Sequence, residues 1–173
     1  MTENKNTGSV CDEVNFNRLF RTHSSDLYKF LYYKYGEEHN PSDIVQEAFI
    51  KLWDNCKKVI PNKAKGFLFT VANNLMLSSL ARKKTAQKYV EESTIKSSYQ
   101  SPEFELEEKE YKVQLDKAIA SLTEEQRVAF LLNRIEGKKH QEIADMLGIS
   151  KKGVEKRIYT ALAKIREQVD FFN

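Results

Sequence analysis

The sequence predicts an all-α protein of two small helical domains joined by a flexible linker, with a helix-turn-helix in the C-terminal domain. Three observations carry that expectation. Apolar residues recur at helical spacing along both halves of the chain. A stretch without sustained period, rich in Ser and Thr and closed by Pro102, separates the halves. No run of alternating apolar and polar residues reads as a strand. The expected boundaries are 10–88 for the first domain, 89–105 for an acidic, polar linker and 106–173 for the second.

In the first half, Phe16, Leu19, Phe20, Leu27, Phe30 and Leu31 define an amphipathic helix from about Val14 to Lys34, with His23 on the same stripe. Asn40-Pro41-Ser42-Asp43 reads as a helix start: Asn40 can cap, proline is tolerated in the first turn, and Asp43 suits the positive end of the dipole. The second helix covers Asp43–Trp53, with Ile44, Ala48 and Leu52 on one side. Pro61 and Gly66 punctuate a break. A third helix, about Phe67 to Lys84, has an expected stripe of Phe67, Val71 and Leu75.

In the second half, Tyr111, Leu115, Ala118, Ile119 and Leu122 form one stripe. Thr123-Glu124-Glu125-Gln126 is a capping-box pattern that opens a helix holding Val128, Leu131, Leu132 and Ile135. Gly137 stands where a left-handed residue would end that helix. The sharpest local signal follows, His140 to Ser150 running into Lys151–Arg166. Ile143 and Leu147 face a core one turn apart, and Ala144 is small where a second helix crosses. Gly148 allows a positive φ, Ile149 plugs the angle, and Ser150 caps the next helix. Val154, Ile158, Ala161, Leu162 and Ile165 form the buried stripe. Lys151, Lys152, Glu155, Lys156, Tyr159 and, nearby, Arg157 are left to meet base edges and phosphates.

Charge supports a polyanionic partner. The formal net charge is only +3, but eight basic and no acidic residues lie between Asn55 and Val90. A soluble surface normally mixes signs, so this block reads as an electrostatic footprint for nucleic acid. The chain has no P-loop, HExxH, CxxC or GxSxG pattern, and no enzyme is expected. No metal or other cofactor is expected either: His23, His39 and His140 are isolated in sequence and read as packed or solvated side chains. The two cysteines, Cys11 and Cys56, cannot build a disulfide framework or metal cluster by themselves. Each is expected to be an ordinary thiol in a reducing cytoplasm, with no arrangement suited to redox sensing. The polar start, Met1 to Val10, offers no signal peptide, and the longest apolar run, Val128 to Leu132, is far short of a membrane span.

At this point a resemblance appears. The segment LTEEQRVAFLLNRIEGKKHQEIADMLGISKKGVEKRIYTALAKIRE resembles the C-terminal domain of extracytoplasmic-function sigma factors, which binds the minus-thirty-five promoter element. DIVQEAFIKLW is similar to the helix with which that family grips the clamp of RNA polymerase. KGFLFTVANNLMLSSLARKK is similar to the helix and basic end that open the minus-ten element. The resemblance covers about Phe16–Lys84 and Leu106–Glu167, in the expected order. It implies core RNA polymerase, promoter DNA and an anti-sigma factor as partners, a cytoplasmic location and no membrane insertion. It implies polymerase contact by Asp43, Gln46, Glu47 and Lys51, with Trp53 either core or interface. It also implies that Lys57, Lys58, Lys63 and Lys65 hold phosphates and that Asn73 and Asn74 read a flipped base. Arg82, Lys83 and Lys84 would then meet duplex phosphates. Phe67 and Phe69 are available as stacking platforms, although core packing is favoured for Phe67. The chain departs from the common pattern at Gly153 and Glu155 in the recognition helix and at Asn73 and Ser78 in the third helix. A stand-alone helix-turn-helix regulator would need only the C-terminal motif.

Overall fold

The computed structural model describes residues 8–87 and 106–169; the expected linker, 89–105, lies outside the described residues. Seven α-helices carry the described chain: α1 (Glu13–Tyr35), α2 (Pro41–Asp54), α3 (Ala64–Gln87), α4 (Leu106–Ala120), α5 (Glu124–Arg134), α6 (His140–Leu147) and α7 (Lys151–Gln168). Short 3₁₀ turns occupy Glu37–His39 and Pro61–Lys63, and no strand occurs among the described residues. None of the described helices is long and apolar enough to cross a membrane.

Local chemistry explains the helix ends. Asp12 accepts a hydrogen bond from Val14 N at 3.0 Å and starts α1. Asn40 precedes α2 but its side chain caps nothing; the residue adopts φ 50° and turns the chain, leaving Pro41 to open the helix. The expected Asn40 cap is therefore replaced by a left-handed turn, a conformation asparagine tolerates. The capping box at α5 forms as expected: Thr123 Oγ1 accepts from Gln126 N, and Gln126 Oε1 accepts from Thr123 N, both at 3.3 Å. Gly137 and Gly148 adopt φ 64° and 65°, which an L side chain reaches only at a cost.

Helices α1, α2 and α3 pack around Leu27, Leu31, Leu52, Leu68 and Met76, all fully buried. The inner face of α3 is turned one residue from the expected stripe. Leu68, Ala72 and Met76 are fully buried, whereas Phe67, Val71 and Leu75 are half-buried at the margin. Both rows have helical spacing, so periodicity alone does not rank them; the α2 and α1 contacts do. In the second half, α5, α6 and α7 enclose Val128, Leu132, Ile143 and Val154, and α4 packs on α7 through Ala118, Ala161 and Ile165. Met146, not Leu147, is the more deeply buried residue at the end of α6, and Ile135 lies exposed.

The two halves are not held apart. One continuous cluster of buried residues runs from Leu27 and Phe69 to Val128, Ala144 and Ile158. Helix α1 lies along α5, and α3 meets α6. Polar pairs close the rim. Glu136 accepts from Lys29 Nζ and, at 2.5 Å, from Tyr33 Oη. Lys138 Nζ lies 2.8 Å from Asp26 Oδ1. Arg127 donates to the carbonyls of Tyr33 (3.0 Å) and Lys34 (3.3 Å). Those carbonyls belong to the last turn of α1, which has no intrahelical partners and carries partial negative charge.

The cysteines depart from expectation. Cys11 and Cys56 are joined in a disulfide, their Cα atoms 5.0 Å apart across 45 residues of sequence. The separation hides the pair from sequence reading, because only the packing of the α1 start against the α2 end brings them together.

Candidate nucleic-acid interface

The helix-turn-helix is built as its residues dictate. Ile143 and Ala144 of α6 are buried at 0% and 2% exposure, so α7 can cross close above the alanine. Gly148 makes the turn, half-buried Ile149 fills its inner angle, and Ser150 Oγ accepts from Gly153 N at 3.1 Å to start α7. Val154, Ile158, Ala161 and Ile165 fasten α7 to the core, with Leu162 half-buried beside them.

That orientation leaves Lys151, Lys152, Glu155, Lys156 and Tyr159 exposed, the tyrosine at 77%. Glu155 is partly occupied within the protein. Its carboxylate lies 3.8 Å from Lys151 Nζ and 3.6 Å from His140 Nδ1. Arg157 departs from the outward set: it is half-buried and its guanidinium is 2.9 Å from Glu125 of α5. The reason is angular. Residue 157 lies one turn from buried Val154 and Ala161, on the flank of the inward stripe, so its side chain leaves toward α5 rather than toward the face of Lys152 and Lys156.

The second basic region lies around α3. Lys57, Lys58 and Lys63 are exposed in the approach to the helix, and Lys65 is half-buried. Lys65 bears on His23, whose pKa is lowered first by burial and then by this neighbouring charge. Arg82, Lys83 and Lys84 stand exposed near the far end. Phe69 is not a platform: it is 4% exposed and its ring packs against Phe30 at 5.4 Å. Phe67 is half-buried against the core, as core packing would have it.

The paired asparagines divide. Asn74 is exposed, whereas Asn73 Oδ1 accepts from Lys34 Nζ at 2.7 Å and from Tyr35 Oη at 2.8 Å. Burial lowers the Lys34 pKa, and it pushes the Tyr35 hydroxyl up to about 12. Asn73 is therefore held by α1 rather than presented freely. Both asparagines line a cavity of about 400 Å³ between the halves, closed on the other side by Asp145, Gly148 and Arg157.

A third surface is the outer face of α2. Asp43, Gln46, Glu47 and Lys51 are exposed there, with Ile50 (59%) and Trp53 (44%) beside them. Trp53 also meets the Phe16 ring edge-on at 5.0 Å, so it is both packed and presented. The sequence reading placed the four polar residues but not Ile50; its apolar side chain off the Ile44–Ala48–Leu52 row was the available signal.

Comparison with known proteins gives a consistent result. The family model for Sigma-70 region 2 matches residues 19–86, and that for Sigma-70, region 4 matches residues 112–165. The chain is 26% identical over 164 residues to the ECF RNA polymerase sigma factor SigE of Mycolicibacterium smegmatis, covering 93% of this chain and 64% of that relative. It is 27% identical over 151 residues to the ferric citrate uptake sigma factor FecI of Escherichia coli, covering 86% and 87%. Among solved structures, it resembles a chain in the co-crystal structure of the sigma factor RpoE with the anti-sigma factor NepR from Bartonella quintana. The TM-score is 0.57 at 17% identity, over 92% of this chain and 99% of that one, a likeness of fold.

Proposed function

Because the chain belongs to the sigma-70 family, in its extracytoplasmic-function group, we propose that it binds core RNA polymerase and directs promoter recognition, minus-ten melting and transcription initiation. The observation that carries this reading is the presence, on one chain, of two separate basic surfaces and a third, mixed one. The α7 face suits the major groove of the minus-thirty-five element: Lys151, Lys152 and Lys156 for phosphates, Tyr159 and Glu155 for base edges. The approach to α3 suits a single strand. Lys57, Lys58, Lys63 and Lys65 track its phosphates, Asn74 offers hydrogen bonds to an extruded base, and Arg82, Lys83 and Lys84 hold adjoining duplex. Asn73 joins Asn74 only after Lys34 and Tyr35 release it. On α2, Asp43, Gln46, Glu47 and Lys51 around Ile50 and Trp53 form the polymerase contact, a polar rim on an apolar centre. The work is divided between residues 10–88 and 106–173, in the cytoplasm, and the protein acts as a DNA-recognition factor rather than an enzyme.

The closed arrangement bears on this cycle. The two promoter elements are about 25 base pairs apart by name, or about 85 Å along the duplex at about 3.4 Å per pair. In the closed protein α3 and the α6–α7 turn line one cavity. Reading both elements at once requires the halves to part, and residues 88–105 give a reach of about 60 Å when extended. An anti-sigma factor is the expected antagonist, as NepR is the partner co-crystallised with RpoE.

Equilibrium binding to core polymerase tests the α2 assignment. A Gln46→Ala/Glu47→Ala variant is expected to bind core more weakly while binding duplex promoter DNA unchanged. Equal affinity for core would contradict it.

A further inference from the structure

We propose that Cys11 and Cys56 form a reversible oxidation site, a thiol pair that peroxide-class oxidants convert to a disulfide, which latches the loop ahead of α3 and sets how readily the protein opens promoter DNA. The functional half rests on the assignment of Lys57 and Lys58 to the minus-ten strand.

The two cysteines are placed to pair. The Cα atoms are 5.0 Å apart, inside the range that a disulfide bridges without backbone movement. Non-covalent contacts hold the Cys11 side in place. Val10 is fully buried in the first-half core. Asp12 N donates to Ser9 O at 3.2 Å, Cys11 N to Ser9 Oγ at 3.1 Å, and Asn15 Nδ2 to Ser9 O at 3.3 Å. These bonds fold the segment onto the start of α1, and buried Val10 pins it to the core that α2 shares, so the sulfurs can close and reopen without a search. Both residues are half-buried rather than sealed, which leaves a small oxidant access.

The chemical setting favours a bond that reopens. In a reducing compartment a lasting structural disulfide is uncommon, and those that form are usually transient or redox-sensing. A chain that acts on cytoplasmic polymerase works in that setting.

The bond holds the start of a basic segment. Cys56 is adjacent to Lys57 and two residues from Lys58. The backbone here is tied at its start: Cys56 N donates to Trp53 O at 3.0 Å, and Lys58 N to Asn55 O at 2.8 Å. Lys57, Lys58 and Ile60 are exposed. A covalent anchor at Cys56 therefore orders the segment that carries the two lysines. Ordering before binding lowers the conformational cost of gripping the strand, so the oxidised protein is the more active form.

The chemistry balances. One thiolate attacks a peroxide oxygen, the O–O bond breaks, and a sulfenic acid and hydroxide form; the hydroxide takes up a proton as water. The second thiolate attacks the sulfenic sulfur, the S–S bond forms and hydroxide leaves, again as water. Two thiols lose two electrons to one peroxide and release two waters. A dithiol reductant reverses this by exchange through a mixed disulfide, becoming a disulfide itself.

The test uses the full chain, reduced or treated with hydrogen peroxide. A maleimide-linked polymer is expected to add twice to the reduced protein and not at all to the oxidised one. With core polymerase, permanganate footprinting is expected to show roughly fivefold more open promoter for the oxidised form, the scale of one side chain's ordering cost. Cys11→Ser and Cys56→Ser are each expected to match the reduced wild type and to ignore peroxide. Two adducts after peroxide, or equal opening in both forms, would overturn the proposal. A Lys57→Ala/Lys58→Ala variant in the reduced state reads the loop separately. Loss of opening there, beside a redox-insensitive wild type, overturns the latch alone; no loss overturns the loop assignment on which the latch depends.

Discussion

Removing the charge at Glu136 should loosen the closed protein by an amount its surroundings set. The carboxylate, in the connection between α5 and α6, is 14% exposed and accepts from Lys29 and Tyr33 of α1. Glutamine keeps an acceptor for Tyr33 and loses the ionic partner of Lys29. A hydrogen bond to a charged group is worth about 1.5–3 kcal/mol. Lys29 is 36% exposed, and solvent screening places the loss at the low end, about 1.5 kcal/mol. That is roughly a tenfold shift from closed to open. Dyes on unnatural residues at the exposed positions 51 and 152, read by single-molecule energy transfer, report the two populations. Acid should act alike. The hydrogen bond from Lys29, then that from Tyr33, holds the Glu136 carboxyl below its ordinary 4.5. Its contribution is therefore complete above that value and lost as pH falls through the depressed one. If Glu136→Gln leaves the populations within twofold of wild type, the polar rim does not hold the halves together.

Other outcomes follow from the interface. Lys151→Ala and Lys156→Ala should each weaken duplex binding and reduce its salt slope by about one phosphate's worth; an unchanged slope in salt-titrated affinity would remove that residue from the phosphate contacts. Asn74→Ala should impair promoter opening and spare duplex binding, as read by a fluorescent base near the start site; normal opening would contradict its base-reading role. Gly148→Ala, at φ 65°, should cost about 1–2 kcal/mol, lowering Tm by a few degrees; an unchanged Tm in thermal unfolding would mean the turn relaxes.

Much of this molecule is legible in its sequence because the decisive signals are local. Thr123 and Gln126, Gly148 and Ser150 each act on residues within a turn of themselves, and all four do in the structure what their chemistry requires. The exposed faces of α2 and α7 follow from the same helical period. What escapes is whatever distant residues decide. The Phe67 and Leu68 rows of α3 are equally periodic, and only packing against α1 and α2 picks the inner one. Asn73 looks free until Lys34 and Tyr35 arrive, 39 and 38 residues away. Glu136 and Lys29 are 107 residues apart, so nothing in either segment announces the clasp. Cys11 and Cys56 likewise read as separate thiols until the fold unites them.

The most direct measurement is run-off transcription by purified core RNA polymerase on fragmented genomic DNA, with and without the protein. Discrete start sites that appear only when it is added, each preceded by shared minus-ten and minus-thirty-five elements, are the expected result. Tight duplex binding by the protein alone, with no new starts from demonstrably active core, would contradict the account and point to a stand-alone regulator.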